Sequence, residues 1–204
     1  MTISNSYNKA AKGSRQIILD TETTGLEGSR LVSIGMLEMV DGKLTGKSIY
    51  KVVNPEVVMD DVVVKIHKIT NEMAAKEKPF SAYAKELRDF IGDSQLIITC
   101  RTKDDFTLDI AVLNMEMAKA GQTEIPADQW LNVRRWSEEM FGNDGAKLDA
   151  VLDRYKVSRA QREKEGHGAL LDAQLLAAIY PKLKSDYEAF TKKPPQAKPA
   201  APKP

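Results

Sequence analysis

The feature that most constrains this chain lies between residues 30 and 53. Two strand-like runs, RLVSIGMLEMV and KLTGKSIYKVV, are separated by the dipeptide Asp41-Gly42. Asp-Gly between two such runs marks a tight reversal, so the two are expected to pair as an antiparallel hairpin. A third run, QIILDTET, precedes them and reads as a short buried strand, because its apolar and β-branched positions are consecutive before polar residues take over. A fourth strand is expected at QLIITC and a weaker one at DQWLNV. Helices are expected after Pro79, with Phe80, Tyr83, Leu87 and Phe90 on one stripe and an end before Gly92, and near 106–120, 134–141, 146–155 and 168–183. Strands first, then helices alternating with strands, give an α/β layer architecture: a mixed sheet flanked by helices.

Composition sets limits on what that architecture does. At 204 residues the chain is expected to form one domain over 15–190, with a flexible segment at 1–14 and a Pro/Lys/Ala-rich tail at 191–204. Four of the 30 basic residues fall in the last thirteen positions, leaving 26 against 29 acids in the body. A body of that charge excludes indiscriminate coating of nucleic acid, and any phosphate-binding surface must be local. No membrane span and no secretory leader are visible, so a cytoplasmic protein is expected. Cys100 is the sole cysteine, so a bound metal would have to use oxygen or histidine ligands.

Within this frame the acids are the informative residues. Asp20 and Glu22 close the first strand, and alternation sends both carboxylates to one face, where they repel unless a cation lies between them. Alone, the pair reads equally as a solvated strand end or an arginine-paired rim. Asp172, in GALLDAQLLAAIY, shares a helical stripe with Leu176 and Ile179 and points partly toward packed surface, and taken singly it reads equally as a helix-start charge. His167 stands five residues earlier, too far round to share that face, and so precedes the helix between Gly166 and Gly168. Asp109 is preferred over Asp104 and Asp105 because Leu108, Val112 and Leu113 surround it with apolar positions. Arg154, Lys156, Arg159, Arg162 and Lys164 form a basic run before His167, readable as a guide for a phosphate backbone or as a solvated loop.

Taken together, LDTETTGL, an aspartate after a later strand, and HGALLDAQ resemble the three motifs of the DnaQ-like DEDDh 3′–5′ exonucleases, and within that family the proofreading branch of bacterial replicative polymerases. The resemblance spans about residues 15 to 181 and implies a ribonuclease H-like fold. It departs from the pattern at Asp104 and Asp105, where the family usually has asparagine, at Leu108 in place of an aromatic residue, and at Lys68 in place of glycine.

The resemblance implies Asp20, Glu22, Asp109 and Asp172 as ligands of two divalent ions, Mg²⁺ or Mn²⁺, with Asp20 bridging and His167 as general base. It further implies Thr23, Ile66, His67 and Leu108 beside the terminal nucleotide, although Ile66 and Leu108 also read as core. The implied activity is release of nucleoside 5′-monophosphates from the 3′ end of single-stranded or frayed DNA, with a DNA polymerase subunit as partner. Two alternatives stay open: trimming of RNA 3′ ends, and a non-catalytic adaptor of the same fold.

Overall fold

A computed structural model describes residues 15–26, 28–100, 102–103 and 106–192. The expected terminal segments, 1–14 and the tail from 193 onward, lie outside the described residues, as do Asp104 and Asp105.

Strands β1 (Arg15–Thr23), β2 (Leu31–Val40) and β3 (Lys43–Val52) form the antiparallel part of one five-stranded sheet. The reversal between β2 and β3 is the expected one, with Asp41 at φ 51° and Gly42 at φ 75°. Both residues sit in the left-handed region that a two-residue hairpin of matching twist requires. Strands β4 (Gln95–Ile98) and β7 (Trp130–Asn132) add in parallel on the other side of β1, giving the order β3-β2-β1-β4-β7. Two short strands, β5 (Thr102–Lys103) and β6 (Phe106–Thr107), pair separately. They were not expected, and at two residues each they carry no periodicity to find.

Strand β1 has neighbours on both sides and helices on both faces, which explains why its apolar run is continuous rather than alternating. Ile17 and Leu19 belong to a core layer with Leu87 and Ile91 of α3 (Ala84–Ile91) and Leu113 and Met117 of α4 (Leu108–Lys119). Ile18 belongs to the opposite layer, with Leu152 of α6 (Leu148–Tyr155), Trp136 of α5 (Arg134–Gly145), and Leu176 and Tyr180 of α8 (Ala169–Thr191). Edge strand β3 is largely exposed and carries Lys43 and Lys47, charges that oppose pairing with another chain. No helix among the described residues is long and apolar enough to cross a membrane.

Three helices escape the sequence reading: α1 (Asp61–His67), α2 (Asn71–Ala74) and α7 (Ala160–Glu165). They are four to seven residues long, and Val62–Val64 is a β-branched run that argues against helix. Helices of that length are held by tertiary contacts rather than propensity. Helix α8 also runs past Pro181 and ends eight residues beyond the expected 183. Its extra turns are anchored where Tyr187 stacks on Trp136 with centroids 5.0 Å apart, and where Tyr155 donates to Asp186.

The approach of α8 to the sheet depends on Gly35, which lies opposite Asp20 in the β1–β2 register. A Cβ at Gly35 would sit 2.4 Å from the Leu170 backbone nitrogen and 2.5 Å from the Ala169 carbonyl. Backbone at that distance cannot rotate away, so Gly35→Ala must push the start of α8 off the sheet. The expected cost is at least the ~1–3 kcal/mol of overpacking, a drop of several degrees in a thermal melt. An unchanged melting temperature would show that α8 does not need this contact.

Candidate active site

The end of β1, the start of α4 and the start of α8 converge on one cavity of about 710 Å³. Asp20 and Glu22 reach it from β1, Asp109 from the first turn of α4, and Asp172 from the first turn of α8. Glu22, Asp109 and Asp172 are buried, and Asp20 is partly so. Glu22, His167 and Asp172 each offer a ligand atom within 4.8 Å of the other two. The four acids and the histidine singled out in the sequence are therefore brought together, from segments far apart in the chain.

Electrostatics follow from that convergence. Burial, then repulsion from Asp109, Glu22 and Asp172, lifts Asp20 well above the ordinary carboxylate range. Burial, then Asp172 and Asp109, lifts Glu22 to about 8. Burial also raises Asp109, opposed by the Thr21 hydroxyl and the Cys100 thiol. The Thr21 hydroxyl donates to Asp109 Oδ1 at 2.7 Å, so the residue between the two β1 acids fixes the third one. A set of oxygen donors that repel one another and lack thiolates has the chemistry of a site for a hard divalent cation, so the residues present fit such an ion.

Asp172 is tied to a cation of the chain itself. Arg162, on α7, donates through Nε to Asp172 Oδ1 at 2.6 Å and through Nη1 to Asp149 Oδ1 at 2.5 Å. Its Nη2 lies 3.0 Å from His167 Nδ1. The basic run before His167 is thus not a free phosphate guide along its length. Arg162 turns inward to the acids, Arg159 pairs with Asp149, Asp153 and Glu163, and Arg154 lies over the Phe141 ring. Neither Arg162 nor Thr21 was legible as a partner of the acids, because RAQREKEG reads as solvated charge or a phosphate guide and Thr21 as ordinary strand.

His167 precedes α8, as the rotation argument requires, and its ring is partly exposed. Burial and then the Arg162 charge lower its pKa, while Asp172 opposes them. Its backbone N–H donates to the Ile66 carbonyl at 3.0 Å. Gly166 makes this contact possible: at φ 87°, its missing Cβ would stand 2.7 Å from the same carbonyl oxygen. Thr23, Ile66, His67 and Leu108 all line the cavity. Ile66 is largely exposed there, whereas Leu108 also packs against the core. His67 is buried; its Nδ1 accepts from the Ile69 N–H, which leaves the proton on Nε2 with no partner among the described residues.

The fold is one shared with solved nucleases. The nuclease domain of 3′hExo, a DEDDh family member solved bound to rAMP, superposes with a TM-score of 0.67 at 17% identity, covering 86% of this chain and 94% of that one. The sequence profile of the exonuclease family (RNase_T) matches residues 17–180, and the chain belongs to that family. DNA polymerase III subunit epsilon of Rickettsia prowazekii is 42% identical over 173 residues, 81% of this chain and 72% of that protein. The Escherichia coli protein of the same name is 33% identical over 175 residues, 81% and 70% of the two chains.

Because Glu22 binds its proton more tightly in the folded chain than at its unperturbed 4.5, it contributes stability that is lost as pH rises through about 8. Metal-free protein is therefore expected to melt several degrees lower at about pH 8 than at about pH 5, and Glu22→Gln to flatten that slope. Thermal melts in a chelator check both; a flat wild-type profile would remove the charge-repulsion account.

Proposed function

We propose that the protein is a metal-dependent 3′–5′ exonuclease that removes nucleoside 5′-monophosphates from single-stranded or frayed DNA 3′ ends. The observation that carries this reading is the convergence of Asp20, Glu22, Asp109 and Asp172 in one cleft beside His167. Its proposed setting is the cytoplasm, beside a DNA polymerase subunit, as the name shared by the relatives at 42% and 33% identity supports.

In this reading Asp20, Glu22, Asp109 and Asp172 would hold two divalent ions, Mg²⁺ or Mn²⁺. Such ions lower the pKa of an attacking water and neutralise the leaving oxygen of a phosphodiester. His167 takes the proton of that water, an imidazole being suited to the task near neutrality. Its partly exposed ring beside Asp172 supports the assignment. Thr21 and Cys100 hold Asp109 in place by hydrogen bonds to its carboxylate. The Nε2–H of His67, a residue lining the same cleft, is a buried donor without a partner among the described residues, and an oxygen of the terminal nucleotide would satisfy it. Ile66, Leu108 and Thr23 complete the seat for base and sugar.

Matched 3′-labelled DNA and RNA strands test the substrate. Mononucleotide release from DNA is expected, and activity confined to RNA would reverse the assignment. Asp20→Ala is expected to reduce turnover by three orders of magnitude or more while leaving the circular dichroism spectrum unchanged; undiminished turnover would reject its place in the site. His167→Ala is expected to lower the single-turnover rate by about 10²–10⁴ with little change in Mn²⁺ affinity. An equal loss of both would make the histidine a ligand.

A further inference from the structure

We propose that Arg162 is an internal cation that competes with the divalent ion for Asp172. The inference rests on the reading of Asp172 as a metal ligand and goes beyond it, by assigning a role to a residue outside the ligand set.

The geometry carries it in three steps. First, the guanidinium is nearly enclosed, at 10% side-chain exposure, and its Nε sits on an Asp172 oxygen that is itself 4% exposed. A buried carboxylate among three others needs a cation, and Arg162 supplies one to Asp172. Second, a guanidinium has donors only, so the 3.0 Å contact from Nη2 makes His167 Nδ1 the acceptor. The ring proton of the neutral imidazole is then on Nε2. The same guanidinium therefore bridges Asp172 and His167. Third, Nη1 is held by Asp149, which is 41% exposed and outside the set of four acids. Asp149 gives the guanidinium a partner to remain with when Asp172 is taken by an ion. The consequence is a competition: occupation of Asp172 by the divalent cation requires Arg162 to give up that carboxylate.

The same contacts fasten α7, which contributes no buried residue to the core. Arg162 is thus also a structural anchor, and its removal has to be read in a way that separates anchoring from competition. Loss of an anchor weakens or leaves unchanged the affinity for an ion. Loss of a competitor strengthens it.

The experiment is calorimetric titration of Mn²⁺ into metal-free wild type, Arg162→Gln and Arg162→Lys, with melts of each in chelator and at saturating Mn²⁺. Arg162→Gln is expected to bind Mn²⁺ about tenfold more tightly than wild type, to melt lower without metal, and to gain more degrees on saturation. Arg162→Lys keeps the charge without the fork and is expected to fall between, at least threefold tighter than wild type. It decides the matter if the glutamine variant does not fold. Affinity within twofold of wild type, or weaker, in the folded variant overturns the proposal while leaving the acid site intact. Absence of Mn²⁺ binding by wild type and variants alike removes the metal reading, and the proposal with it.

Discussion

Everything in this molecule is arranged around the repulsion among four carboxylates held at one end of its central strand. Burial, reinforced by that repulsion, lifts Asp20 and Glu22 above the ordinary carboxylate range. A fold that places such charges together must be strong elsewhere, and here the strength comes from β1 being sandwiched between two apolar layers. Local relief comes from neutral donors on Asp109 and from the guanidinium on Asp172. The helices bring the later acids in at their first turns, where the N-terminal dipole favours negative charge. The site is therefore costly to assemble and would be stabilised by a cation among its acids.

Much of this was legible in the sequence because the signals were local. Asp41-Gly42 fixed a hairpin, a continuous apolar run marked a strand buried on both faces, and the stripe of Asp172 with Leu176 and Ile179 located an acid on a packed helix face. His167 was legible by elimination, from a rotation that could not keep it on the Asp172 face. What escaped was decided by tertiary contact. Helices α1, α2 and α7 are too short to announce themselves, and the valines of α1 argue for strand. Arg162 is chemically indistinguishable in sequence from its solvated neighbours, and only the position of α7 turns it toward the acids. Gly35 sits in a strand that reads well without it, and its reason is the backbone of a helix more than a hundred residues later.

The comparisons divide along the same line. The structural neighbour at 17% identity speaks to the fold, which many chemistries can share. Family membership over residues 17–180 speaks to the class of reaction. Of the departures from the family pattern, Leu108 lines the cleft and Lys68 stands in a left-handed cap after α1, and neither is one of its acids.

The contact between the Ile66 carbonyl and the His167 amide has a mechanical meaning. It fastens the segment carrying the expected nucleotide seat to the segment carrying the expected base, so neither can drift without dragging the other. An end that sits askew against Ile66 and His67 would pull the imidazole out of line by the same displacement. Fidelity of cutting would then be enforced by a shared tether between grip and blade, rather than by either acting alone.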